Sequence, residues 1–70
     1  MKATVFNFDE EIGSVEWDGE RLIYGGAQPE FMKWCVEDAR KLIGPTPDDQ
    51  VIPKLIDKYF CGYGKIVKLS

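Results

Sequence analysis

The sequence predicts an α+β fold of order βββααβ, a four-stranded antiparallel sheet with strand order 4-1-2-3 and two helices packed on one face. Three features of the chain point there. Short β-branched and aromatic runs occupy the first 24 residues and flank Asp18-Gly19, a two-residue hairpin signal. Two apolar stripes at helical period follow, the first after Pro29 and the second after Thr46-Pro47. A last β-prone run, Tyr63 to Leu69, comes after Gly62. A chain of 70 residues is too short for two cores, so residues 1–70 are read as a single α+β domain.

The first strand is Lys2 to Phe8, rich in β-branched and aromatic side chains and halted by the acidic cluster Asp9-Glu10-Glu11. Gly13 to Trp17 and Glu20 to Tyr24 form the next two, joined through Asp18-Gly19 because both central residues of that turn type need positive φ. A two-residue loop there sets Glu16 opposite Arg21 and Val15 opposite Leu22. A turn centred on Glu10 and Glu11 then pairs Phe6 with Val15 and Phe8 with Gly13. One face of this meander reads Thr4, Phe6, Phe8, Val15, Trp17, Leu22, Tyr24, and the other is mostly polar apart from Val5 and Ile23.

Pro29 suits the first turn of a helix, where its missing N–H has no partner to lose. Phe31, Trp34, Cys35, Ala39, Leu42 and Ile43 then recur at helical spacing, and Gly44-Pro45 stops the helix. Ile52, Leu55, Ile56, Tyr59 and Phe60 form the second stripe, in a helix that begins between Asp49 and Pro53 and ends at Gly62. Two antiparallel helices return the chain so that the final strand lies antiparallel beside strand one or, at the other edge, beside strand three; strand one, whose outer neighbour is otherwise missing, is preferred. The predicted core joins Phe6, Phe8, Val15, Trp17, Leu22 and Tyr24 of the sheet to Phe31, Trp34, Cys35, Leu42, Ile52, Leu55, Ile56, Tyr59 and Phe60 of the helices.

Composition narrows the chemistry. The chain has no histidine, which removes Ser-His and Cys-His nucleophile pairs and every histidine-containing metal site. Net charge is −3, so a general grip on phosphate backbones is not expected and nucleic acid is an unlikely partner. Lys54, Lys58, Lys65 and Lys68 read as solvated faces, with no aromatic interleaving to stack bases. Charge is uneven: residues 1–30 carry 2 basic and 7 acidic side chains, residues 31–70 carry 7 and 5. No apolar run exceeds three residues, so no membrane span or leader is expected, and the reading is of a cytoplasmic protein. Cys35 and Cys61, without CxxC spacing, read as two buried, reduced and inert thiols.

Candidate sites are few. Cys61-Gly62-Tyr63-Gly64-Lys65 puts glycines before a lysine, but it leaves a helix and enters a strand, the reverse of a phosphate loop. Tyr24-Gly25-Gly26-Ala27-Gln28-Pro29 has the right direction, strand to helix, so Tyr24, Gly25, Gly26 and Gln28 form a candidate ligand loop for a small molecule or anion. Glu30 in the first turn opposes an anion there. The acidic clusters lack the alternation and loop glycine of a calcium site, and neither a metal, a cofactor nor a catalytic residue is assigned. Helices on one face alone leave Val5, Ile23 and Ile66 as an apolar patch on the other. The expected function is therefore a small non-enzymatic protein-interaction or regulatory module, binding a protein partner or a second copy of itself. The alternative is a small-molecule or anion-binding domain, or minimal enzyme, that uses the Tyr24 to Pro29 loop.

Overall fold

The computed structural model describes residues 1–70: strands β1 (Lys2–Asn7), β2 (Glu10–Trp17) and β3 (Leu22–Gly25), helix α1 (Pro29–Ile43), a short helix α2 (Val51–Lys54) and strand β4 (Lys65–Leu69). The sheet is antiparallel with order β3-β2-β1-β4, the predicted arrangement read from its other edge. As expected, β4 lies against β1, where Lys2 and Ser70 exchange backbone hydrogen bonds of 3.0 and 2.9 Å.

The β1–β2 register differs from the predicted one, and the reason is the turn. The chain reverses at Phe8 and Asp9, so Asn7 faces Glu10 and Ala3 faces Val15. Phe8 takes a φ of 58°, a left-handed conformation that bulky side chains seldom adopt and that a sequence reading assigns to Gly or Asn. Moving the partner of Val15 from Phe6 to Ala3 is a shift of three residues. Because that number is odd, every β1 side chain exchanges faces. Ala3 and Val5 therefore turn inward, while Phe6 turns out, and the predicted placement of Phe6 and Phe8 in the core is corrected. A β-bulge then interrupts the pairing: Val5 faces Gly13 but Phe6 faces Glu11, leaving Ile12 as the extra residue.

Between β2 and β3 the loop is four residues long, not two. Trp17 faces Leu22, and the Asp18 carboxylate accepts the N–H groups of Glu20 at 2.8 Å and Arg21 at 2.9 Å. These donors, Arg21 foremost, hold the Asp18 carboxyl below its usual range. The two extra loop residues shift the pairing by an even number, so Val15, Trp17, Leu22 and Tyr24 keep the predicted common face.

The helices cover that face with smaller side chains than the sequence suggests. In α1 the buried residues are Met32, Cys35, Val36 and Ala39: Cys35 and Ala39 belong to the predicted stripe, but Met32 and Val36 take the inward positions expected of Phe31, Trp34 and Leu42. Trp34 is 56% exposed and Leu42 74%. The sheet below explains the choice. Its central inward positions are Ala3, Val5, Gly13 and Val15, and Met32 occupies the space that Gly13 leaves by having no Cβ. Arg40 of α1 pairs with Asp48, which opens the second helical segment.

That segment changes its hydrogen-bond pattern twice. A 3₁₀ turn (Asp48–Gln50) leads into α2, and a π-helical stretch (Leu55–Tyr59) follows. Pro53 falls in the first turn of α2, where its missing N–H costs little. The wide π turn closes with a 2.7 Å bond from the Phe60 N–H to the Leu55 carbonyl, so the helix stops at Tyr59 rather than Gly62. Val51, Ile52, Leu55 and Phe60 join the α1 stripe and the sheet in one cluster of 11 buried apolar residues. Phe60 is the one aromatic ring in it.

Candidate functional site

Inward rotation of β1 removes one member of the predicted apolar patch and separates the other two. Val5 is fully buried between Gly13 and Val67, so it is core and not surface. Ile23 and Ile66 are exposed, but they lie on β3 and β4, the opposite edges of the sheet. A different apolar surface follows the β1–β4 seam. Phe6 faces Ile66 across the two strands, and the Lys68 ammonium sits 5.1 Å from the Phe6 ring centroid. Further along, the Phe8 ring lies against Gly64 and meets Tyr63 edge-on, with centroids 5.4 Å apart. Phe8 is 53% exposed and Tyr63 92%.

Phe8 is held there by its backbone. Its N–H donates to the Gly64 carbonyl at 2.6 Å, and Gly64, with φ of 81°, has no Cβ to obstruct the ring. A side chain at Gly64 would strike the Phe8 ring at 2.8 Å. The Tyr63-Gly64 pair, set aside above as a reversed phosphate loop, thus acts as the seat of an aromatic side chain.

The candidate ligand loop is a packed turn. Gly26 has a φ of 78° and rests on Gly13, so closely that a Cβ would come within 2.9 Å of the Gly13 Cα. Ala27 donates its N–H at 2.7 Å to the Glu11 carboxylate, which places one of the chain's own anions at the start of α1. Tyr24 is half-buried against the core, and burial raises its hydroxyl pKa. Gly25 abuts the Ser14 hydroxyl. Gln28 precedes α1 and makes no side-chain cap bond, and it is the one member of this loop that lines a cleft.

The cleft, of ≈ 480 Å³, opens where the end of the sheet meets the first turns of α1 and the π-helical stretch. Ile12, Phe31 and Phe60 form apolar walls, and Asn7, Glu10 and Lys65 bring polar groups from three neighbouring strands. Lys65 donates to the Asn7 side-chain oxygen at 3.0 Å. Deeper in, Tyr59 donates its hydroxyl to Asp38 at 2.8 Å beside Cys35. Burial and the bond to Asp38 raise the Tyr59 pKa strongly. Burial raises that of Cys35 as well, against the opposing pull of the Tyr59 hydroxyl, so the thiol stays neutral. Both cysteines are free, and Cys61, expected to be buried, is exposed because the helix ends before it. No three acidic or cysteine side chains converge, and no helix is long and apolar enough to cross a membrane.

Tyr59 gives the protein a stability that depends on alkaline pH. Its folded-state pKa lies above the unfolded value near 10, so the neutral hydroxyl is favoured by folding. That contribution is complete below the unfolded pKa and is lost as pH rises above it toward the folded one. Tyr59→Phe is expected to cost about 1 kcal/mol at neutral pH through the lost bond to Asp38. It should also flatten the fall in stability at high pH, as read by urea unfolding between neutral and strongly alkaline conditions. An unchanged alkaline slope in the variant refutes this role.

These features define a small α+β protein that keeps a modest, largely aliphatic core inside and exposes four of its nine aromatic rings, Phe8, Phe31, Trp34 and Tyr63. Compared with known proteins, the chain matches no family model, no curated protein and no solved structure.

Proposed function

We propose that the protein is a non-enzymatic interaction module that receives an extended segment of a partner protein along β4, with the Phe6, Ile66, Phe8 and Tyr63 surface as its apolar contact. The observation that carries this reading is Phe8. A bulky residue at positive φ costs about 1–3 kcal/mol, and here it leaves the ring half exposed instead of placing it in the core. The same surface adjoins an open edge. β4 pairs with β1 on one side only, so its other backbone groups are free to accept a further strand.

Charge selects the kind of segment. β4 reads Lys-Ile-Val-Lys-Leu, with two lysines and no acidic residue. Edge lysines discourage a like-charged strand and favour an acidic one, so an acidic, partly apolar partner fits better than a second copy of β4. Two unpaired thiols, one of them exposed, suit a reducing compartment, and the proposal includes a cytoplasmic location.

Selection from a library of random peptides displayed on phage tests the reading. Enriched peptides should alternate acidic and apolar residues and perturb the amide resonances of β4. Ile66→Glu, at a site 46% exposed, should leave the fold intact and weaken their binding at least about tenfold, since it removes an apolar contact and repels acid. Peptides that bind the variant as tightly as the wild type overturn the proposal. So does a concentration-dependent dimer in sedimentation that Ile66→Glu abolishes, because the occupant is then a second copy.

A further inference from the structure

We propose that the cleft at the end of the sheet is a second site, for a small zwitterion with an apolar body, the chemistry of a free amino acid with a large apolar side chain. The volume of ≈ 480 Å³ falls in the range of small-molecule pockets. Its two charged side chains, Glu10 and Lys65, are of opposite sign. Asn7 faces Glu10 on β2 and Lys65 on β4, so a carboxylate and an ammonium flank the same amide on one face of the sheet. Their Cα atoms are separated by two inter-strand steps, roughly 10 Å. Lys65 leans across onto Asn7, so a ligand carboxylate binds by drawing the ammonium from that neutral amide, while the ligand ammonium meets Glu10 on the other side.

Neither charge is neutralised within the protein. Lys65 reaches a neutral amide oxygen, and the two ion pairs of the chain, Arg40 with Asp48 and Lys58 with Asp57, lie elsewhere. The Gln28 side chain, free of any capping bond, adds an amide at the rim. A ligand carboxylate at Lys65 and a ligand ammonium at Glu10 satisfy both groups at once, while its side chain lies against Phe31, Ile12 and Phe60. A simple anion would meet Glu10, and a simple amine would meet Lys65, so each of those finds one partner and one repulsion.

The walls of the cleft come from two departures from regular structure. The β-bulge supplies Ile12, the extra residue between the Val5 and Phe6 pairings, and the π-helical stretch ends at the cleft with Tyr59 and Phe60. Bulges and π turns recur at functional sites because they re-aim side chains that a regular element would point elsewhere. Here both re-aimed groups converge on one opening.

Three probes that share one ring separate the contributions: L-phenylalanine, 3-phenylpropionate and 2-phenylethylamine. Titrated into the full chain and followed by amide chemical shifts, phenylalanine is expected to produce saturable changes at Ile12, Phe31 and Phe60, with the two single-charge probes weaker. Lys65→Met and Glu10→Gln replace exposed side chains, and dispersed amide spectra will confirm that both fold. Lys65→Met should weaken phenylalanine and phenylpropionate about fivefold and spare phenylethylamine, while Glu10→Gln should weaken phenylalanine and phenylethylamine and spare phenylpropionate. The absence of saturable shifts, shifts centred outside the cleft, or wild-type binding of phenylalanine by both variants overturns the assignment. Because the peptide surface is tested through Ile66, failure at either site leaves the result at the other readable.

Discussion

Gly13→Ala is expected to lower stability by about 3 kcal/mol, against the usual sign of that exchange. Where the backbone allows it, Gly to Ala stabilises a protein by about 0.4–1 kcal/mol, because the unfolded chain loses freedom. Gly13 is not among the residues with positive φ, so conformation alone predicts a gain. Space reverses it. A Cβ at this position would overlap the Met32 side chain and approach two backbone carbonyl oxygens, of Gln28 at 3.0 Å and Gly25 at 3.2 Å. Met32 is itself fully buried, and the carbonyls belong to the turn that starts α1. Overpacking of this kind costs about 1–3 kcal/mol, and backbone clashes put Gly13 at the upper end.

For a domain of this size each kcal/mol moves the melting midpoint by about 4–8 °C, so thermal unfolding followed by circular dichroism should show a drop of at least about 12 °C. Gly13→Ala combined with Met32→Ala should cost less than the sum of the two single changes, since the second removes the side chain that the first displaces. A single variant that melts at or above the wild-type midpoint contradicts the close approach of α1 to β2.

The same approach explains which parts of the fold were legible. Element order follows from β-propensity and helical spacing, whereas the chain reversal of two helices allows β4 either edge of the sheet, and the vacant side of β1 is the one it takes. The β2–β3 faces survived a misjudged loop because Asp18-Gly19 gained two residues, and an even shift preserves the pleat. β1 did not survive its misjudged turn. Val5, Phe6 and their neighbours are apolar on both faces of that strand, so the hydrophobic pattern does not select a register, and the deciding event is a left-handed Phe8 that no propensity favours. In α1, Cys35 and Ala39 of the predicted stripe are buried, but the inward surface of Ala3, Gly13 and Val15 admits Met32 and Val36 beside them in place of Phe31 and Trp34. Of the eight rings assigned to the core, Phe60 is buried and Trp17, Tyr24 and Tyr59 pack against it, while Phe6 turns out with its strand and Phe8, Phe31 and Trp34 are exposed.

The cleft was illegible for a related reason. Asn7 and Glu10 flank one turn, Lys65 lies 58 residues from Asn7, and the three carry no motif; they meet only because β1 is flanked by β2 and β4 in the observed register. Ile12 and Tyr59 depend on a bulge and a π turn, neither of which has a sequence signature comparable to a hairpin turn. Of the loop singled out from sequence, Gln28 alone reaches this opening. The aromatic surface along Phe6, Phe8 and Tyr63 is in part the counterpart of the core error: Phe6 and Phe8, assigned inward, join Tyr63 outside, beside the β4 edge.

Two substitutions at adjacent positions decide the register on which this rests. Val5→Asp is expected to abolish folding at neutral pH, whereas Phe6→Asp should cost about 1–2 kcal/mol. Val5 lies between Gly13 and Val67 with no accessible surface and no cation beside it, so a carboxylate there is desolvated without compensation. That penalty exceeds several kcal/mol, comparable with the whole stability of about 4–10 kcal/mol that 70 residues ordinarily provide. Phe6 faces outward, and its replacement loses the cross-strand contact with Ile66 and the stacking of Lys68 but gains a carboxylate that Lys68 can neutralise. If Phe6 instead faced the helices, as the alternation of the sequence suggests, the severities would be exchanged. Acid provides a further check. Desolvation raises the folded-state pKa of a carboxyl at position 5, so its penalty is smallest below the unfolded value of about 3.9 and grows as pH rises. Val5→Asp should accordingly recover dispersed amide resonances as pH falls from 7 toward about 4, while the urea midpoint of Phe6→Asp should drop further below that of the wild type as its pairing with Lys68 is lost.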